Sequence, residues 1–415
     1  MSTYQAKTQN IIQEVLKNHF DEFEEKYEEL YGCEYGSVQI IRIKELVQNF
    51  LFCGDYREGM ARIQCSNPEC RHEYFRPFSC KGFYLCPSCH QKRLLIFSEK
   101  LSDEVLLRLP HRQFVFTFPK SLRRFFRKDR QLYSEISCLI HNLVHQFYND
   151  LSKNEIKTGS VISYQSFGDF MRFNPHFHCI IMEGGIDDKD RFHHISLDHT
   201  GDLLQLFRLK VLQHFVNKKI ITRHIAKKLY SWKHSGFSID HSVKVPSHSK
   251  KLQRNIGQYI ARSPVSLQKL KYVKEMRKVI YNTKYNKYFG ENIKVFDVLD
   301  FIADLTQHIP EKGSHLIRYY GVYASRTKGK RKSLGKKEYF DKAEIDESKK
   351  AKRRAWARLI QKVFEADPLI CPKCKSEMNV VSVIFDRQEI AKILNHLHRK
   401  NRAPPGYEKL LTDVD

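Results

Sequence analysis

No apolar run in the sequence approaches the roughly 20 residues that span a bilayer. The polar first residues likewise lack the apolar segment of a secretory signal peptide. The first absence excludes a membrane-spanning helix, and the second predicts a cytoplasmic protein with no membrane among its partners. Acidic residues are also in short supply. The 47 Asp and Glu stand against 72 Lys and Arg, giving a formal net charge of +25 and a pI near 9.5. A field of that sign suits a polyanion, so nucleic acid is the predicted partner, and 28 Phe and 21 Tyr are available to stack on bases.

The eleven cysteines are clustered. Cys65, Cys70, Cys80, Cys86 and Cys89 lie close together, Cys371 and Cys374 form a second pair, and Cys33, Cys53, Cys138 and Cys179 stand alone. Bunching of this kind without a secretion signal points to zinc in a reducing compartment rather than to disulfides. Cys65 and Cys70 form one knuckle, and Cys86-Pro87-Ser88-Cys89 forms another after a hairpin-length spacer. Two such knuckles can close a tetrahedron, so Cys65, Cys70, Cys86 and Cys89 are the expected zinc ligands, with Cys80 or His90 able to replace one. Cys371-Pro372-Lys373-Cys374 supplies half a site, which His396 and His398 could complete, and the spacing leaves this open.

The segment Asn174-Pro175-His176-Phe177-His178-Cys179-Ile180-Ile181 joins a turn signal to a histidine pair and an apolar run. On a strand, side chains two apart share a face about 7 Å apart, so His176 and His178 can hold one divalent metal. With 20 histidines, about one such pair is expected by chance, and His396-Leu397-His398 is another. Context must therefore decide.

At 415 residues, two to four units are expected. Residues 4–32 and 37–53 read as helices, the second with Ile40, Ile41, Leu46 and Phe50 inward. A leucine-rich helix over 92–108 stops before Pro110, strands follow at 113–119 and 161–167, and a helix at 129–152 lies between them. Gly168-Asp169 makes a turn, so that the histidine strand pairs with 161–167, and 200–232 reads as two helices. This order predicts an α+β fold, an antiparallel sheet covered by helices. A later helix ends before Pro264 and carries Tyr259 near its end, flanked by Arg254 and Arg262. A tyrosine hydroxyl becomes a nucleophile on losing its proton, which neighbouring guanidinium groups or a metal favour. Spacing alone does not separate Tyr259 from ordinary packing. Residues 326–354 are basic and read as a linker that touches phosphates.

Asn174-Pro175-His176-Phe177-His178, Glu183-Gly184-Gly185, the helix from Asn255, His308-Ile309-Pro310, Leu316 to Gly321, and Asp367 to Cys374 occur in an order that resembles a rolling-circle transposase. The family is bacterial insertion-sequence family ninety-one, a branch of the HUH endonucleases (His, hydrophobic, His). The resemblance runs from about residue 40 to residue 400.

It implies an HUH core with an N-terminal helical, zinc-ribbon-like DNA-binding module and a helical C-terminal region. Residues 1–95 would form the zinc module, 96–265 the catalytic core, 266–325 a core extension with hairpin and helix, 326–354 the basic linker, and 355–415 the C-terminal region. In such enzymes the histidines bind Mg²⁺ or Mn²⁺ and a tyrosine attacks single-stranded DNA, leaving a 5′-phosphotyrosine and a free 3′-hydroxyl. Carried over by position, His176 and His178 are ligands and Tyr259 is the nucleophile. Asp169 and Gln165 are candidates for a third ligand, Asp169 having the better charge, and Arg254 and Arg262 are expected to contact DNA. The partners would be single-stranded DNA at transposon ends and target DNA, for a nucleoid-associated protein in which a homodimer is one expected assembly.

This sequence departs from the family where a first tyrosine is usual, since Asn255 stands there, four residues before Tyr259. The chain then works with one tyrosine or is an impaired copy. Tyr281 and Tyr285 show the same spacing, but the alternation around them reads as a strand. Two other functions fit the same residues: a non-catalytic zinc-containing DNA-binding regulator, and a replication initiator or relaxase with identical chemistry.

Overall fold

The computed structural model describes residues 10–36, 39–82, 84–197, 200–247, 249–286, 290–334 and 370–401. The N-terminal helix Ile11–Tyr27 is capped by Asn10, whose side chain accepts from the Ile12 N–H. It packs beside the helix Gln39–Leu51 through Ile43, Val47 and Phe50. That phase leaves Ile41 71% exposed and corrects its expected inward position, while Ile40 and Leu46 are partly buried. Strands β1 (Met60–Cys65) and β2 (Glu73–Pro77) follow. The helix Pro87–Lys100 then starts with proline in its first turn, where no N–H is needed. This helix runs unbroken through residue 95, so no structural break falls at the boundary expected there.

The central sheet is antiparallel and contains β3 (His111–Thr117), β4 (Gly159–Phe167) and β5 (Phe173–Met182). A small hairpin of β6 (Gly184–Ile186) and β7 (Phe192–His194) leaves its end. The short strands β8 (Ser238–Asp240) and β9 (Lys244–Val245) both pair with β3. Strands β10 (Leu270–Val273), β11 (Lys278–Asn286) and β12 (Glu291–Asp297) make a separate sheet, and β13 (Ile317–Gly321) returns to β4, giving the order β13-β4-β5-β3-β8. The fold is α+β, as the sequence predicts.

Alternation along β5 sorts its two faces. Phe177, Cys179 and Ile181 enter the main core beneath the helices Lys120–Lys128, Gln131–Leu151, Gly201–Asn217 and Arg223–Ser231. Ile180 and Met182 point the other way, toward Ile256 and Ile260 of the helix Lys250–Ile260. His176 and His178 share that second face. A further core unites the N-terminal helices with Leu270, Val279, Phe296 and the helix Val298–Thr306, so these elements pack onto the start of the chain.

β14 (Met378–Ile384) pairs antiparallel with β1, and the helix Arg387–Arg399 covers the joint through Ile390, Leu394 and Leu397. In the C-terminal region, the described residues 370–401 supply a strand and a helix that complete the N-terminal sheet, rather than helix alone. Ser325–Ser333 is helical and Arg331 pairs with Asp190, which corrects the expected linker over 326–333. The rest of that stretch, from residue 335, lies outside the described residues.

Candidate active site

His176 and His178 are both buried, with ring centroids 4.7 Å apart. The Nδ1–H of His176 donates to the Asn174 carbonyl at 2.7 Å, which leaves Nε2 as the lone-pair nitrogen. His178 is 1% exposed, and neither of its ring nitrogens has a hydrogen-bond partner. Burial lowers the pKa of His176 to about 4, and burial followed by His176 and Arg262 lowers that of His178 to about 2. Both imidazoles are thus neutral at pH 7, the form that ligates a metal. Buried polar atoms without partners are uncommon, so the lone-pair nitrogen of His178, beside that of His176, fits a metal ligand.

The helix Lys250–Ile260 lies across this face. Ser249 caps it by accepting from the Leu252 N–H. Gly257 allows close approach to the zinc-module helix, since a Cβ there would stand 3.1 Å from the Ser98 Cα. Tyr259 is 45% exposed, with its ring 5.0 Å from that of His178 and edge-on to it. The Arg262 guanidinium sits over the tyrosine ring, 5.2 Å from its centroid. Asn255 is exposed one turn earlier.

Gln165 lies opposite His176 on β4. Its amide donates to the carbonyls of Tyr259 and Ile260 at 3.2 and 3.1 Å, and its oxygen accepts from Arg262. The Ser163 hydroxyl also donates to the Ile260 carbonyl, at 2.9 Å. Gln165 therefore holds the end of the tyrosine helix, a task its sequence position did not announce. Asp169 is exposed in the β4–β5 turn. Among the described residues, no carboxylate, histidine or cysteine joins the two histidines in a three-ligand group. Asp169 is not grouped with them, while Gln165 stands opposite His176 with its amide bonded to the tyrosine helix.

The β4–β5 turn itself is tight, with Phe170 and Met171 at φ 55° and 58°. His308 clamps it, its Nε2 donating to the Met171 carbonyl at 2.8 Å and its Nδ1 accepting from Ser166. Arg254 pairs with Asp103 at 3.0 Å, joining the tyrosine helix to the turn after the zinc-module helix. Tyr281 is buried on β11, while Tyr285 is exposed further along the same strand. Arg262 also lines a cleft of about 500 Å³, together with His90, Asp169, Lys269 and Tyr281.

The cysteines form two tetrads rather than the single one expected. Cys86 and Cys89 join Cys53 and Cys80, with sulfur separations of 3.6 to 3.7 Å. Cys65 and Cys70 instead meet Cys371 and Cys374, at 3.4 and 3.8 Å. Tetrahedral zinc with bonds of about 2.3 Å places its sulfurs about 3.8 Å apart, so both sets fit. All eleven cysteines are free of disulfides. His90, His396 and His398 belong to neither tetrad. Cys53 had no knuckle to mark it. The signal available was that Cys65–Cys70 and Cys371–Cys374 are each half a site and need a partner.

Residues 159–331 match a family described as a putative transposase, and residues 15–118 match the transposase zinc-binding domain. Sheet, cysteine tetrads and these matches together define a class, the DNA transposases with an N-terminal domain holding structural zinc. More particularly, these matches support an IS91-family insertion-sequence transposase. It is 23% identical over 316 residues to the transposase for insertion sequence element IS801 of Pseudomonas savastanoi pv. phaseolicola, covering 71% of this chain and 73% of that one. No solved structure matches the chain. No helix among the described residues is long and apolar enough to cross a membrane.

Proposed function

We propose that the protein cuts and rejoins one strand of DNA at transposon ends through Tyr259, forming a 5′-phosphotyrosine intermediate. The observation that carries this reading is the exposed Tyr259 hydroxyl-bearing ring set against buried His178, whose two nitrogens have no hydrogen-bond partner. Tyr259 Oη attacks the scissile phosphorus and its proton passes to solvent. The bond to the 3′ oxygen breaks and the 3′-hydroxyl leaves protonated. In the reverse step a 3′-hydroxyl attacks and expels the tyrosine, so no outside energy is needed for joining.

His176 and His178 would hold Mg²⁺ or Mn²⁺, which when bound polarises the scissile phosphate and neutralises charge as it develops. The Arg262 guanidinium itself supplies positive charge at the tyrosine. The cleft that Arg262 and Lys269 line suits an unpaired strand, where cations follow phosphates. The first tetrad, Cys53, Cys80, Cys86 and Cys89, holds the zinc of the N-terminal domain. With Asn255 in place of a first tyrosine, each protomer forms one covalent link, and a 3′-hydroxyl or a second protomer resolves it.

The test is a denaturing gel of labelled single-stranded end DNA incubated with Mn²⁺ and either the native protein or Tyr259→Phe. A metal-dependent adduct that disappears in the variant is expected. An adduct that persists moves the role to Tyr285 or Tyr281. Intact binding with no adduct favours a DNA-binding regulator. Equal activity on a plasmid or phage origin favours a replication initiator or relaxase.

A further inference from the structure

The tetrad of Cys65, Cys70, Cys371 and Cys374 draws its halves from opposite ends of the chain, 309 residues apart at Cys65 and Cys374. Only the first half lies inside the region that matches the zinc-binding domain. The two halves are built alike. Each second cysteine is followed by a residue in the left-handed region, Arg71 at φ 44° and Lys375 at φ 63°. Each loop closes on itself through the backbone, Arg71 N–H to the Asn67 carbonyl at 3.1 Å and Lys375 N–H to the Cys371 carbonyl at 3.0 Å. The Asn67 N–H also points at the Cys65 sulfur, 3.4 Å away, as backbone donors do toward a thiolate.

The loops are then set face to face by the sheet. Cys65 lies opposite Met378 at the end of the β1–β14 ladder, and the Ser66 N–H donates to the Glu377 carbonyl at 2.8 Å. Few apolar side chains share the site, chiefly Ile63 and Met378, and Cys70 and Cys374 are partly exposed. Four thiols so placed make a poor hydrophobic core and a good tetrahedral ligand set. Arg71, Lys373 and Lys375 stand next to them in the chain and offset the net negative charge of four thiolates around one dication.

We propose that this tetrad binds a second zinc ion, which fastens residues 370–401 to the N-terminal sheet and makes the zinc module a composite of both chain ends. The site is separate from the first tetrad and does not depend on the chemistry at Tyr259. Its failure would therefore leave the reading of the active site untouched.

Metal analysis of the full-length protein should give two zinc ions per chain. Cys371→Ser with Cys374→Ser should give one, and hydrogen exchange in residues 378–384 should accelerate while β4 and β5 keep their protection. Cys374→His, which retains a zinc ligand, should hold the ratio near two. One zinc in the native protein, or two in the double serine variant, overturns the proposal. Should the double variant fail to fold, the native ratio decides alone, with cobalt exchange reporting eight metal–thiolate bonds if the proposal holds and four if it does not.

Discussion

At the scale of single residues, the side chains that position the chemistry differ from those that perform it. Gln165 is a positioning residue, since its amide holds the last carbonyls of the tyrosine helix and its oxygen meets Arg262. Displacing a reacting group by about 1 Å costs up to about 100-fold in rate. Gln165→Ala is therefore expected to slow adduct formation by roughly 10- to 100-fold while DNA binding in a mobility-shift assay stays unchanged. Equal losses in both assays would count against this role. For His176, His178 and Tyr259, a two-residue strand period and a proline-terminated helix told only that the histidines share a face and that the tyrosine lies near a helix end; their proposed roles rest on the resemblance. Cys53 was not legible, because a lone cysteine carries no spacing, and neither was Gln165, because its function lies in bonds to a helix nearly 100 residues away.

At the scale of elements, two junctions hold the site. Arg112 and Glu183 form a buried ion pair at 2.6 Å where β3 meets the end of β5, and Arg112 also donates to the Leu197 carbonyl. Removing one partner strands a buried charge, so Glu183→Ala should lower stability by about 3–5 kcal/mol, measured by urea unfolding. The other junction is the contact of Gly257 with Ser98 and Leu101. Gly257→Val should force these helices apart at a cost of about 1–3 kcal/mol and depress adduct formation with it. The central hairpin and most helices were visible from apolar periodicity. The β1–β14 pairing was not, because Val380, Val381 and Val383 are all exposed and show no buried face to match. The helical phase of Ile41 was misjudged for a related reason: Ile43, Val47 and Phe50 already fill the stripe.

At the scale of the whole molecule, charge and proton uptake dominate. The net charge of +25 predicts that DNA affinity falls steeply with salt, as bound phosphates release counterions. A flat dependence between low and physiological salt would reject extensive phosphate contact. Proton uptake gives a second measurement. Burial lowers His111, His141 and His176 to about 4 and His308 to about 3, whereas in the unfolded chain each titrates near 6.5. Between these values the unfolded state binds more protons. Stability therefore rises with pH from about 4 to 6.5 and is lost as pH falls through that window. His111→Gln should flatten the slope of unfolding free energy against pH by about 1.4 kcal/mol per unit, the effect of one proton.

The pairing of β1 with β14 also sets an order of events during synthesis. With 309 residues between Cys65 and Cys374, and translation at about 5–20 residues per second, roughly 15–60 s separate the emergence of β1 from that of its partner. For that interval one side of β1 presents unpaired N–H and C=O groups, the kind of edge on which nascent chains associate. A copy of the gene cut short before residue 378 would make that exposure permanent.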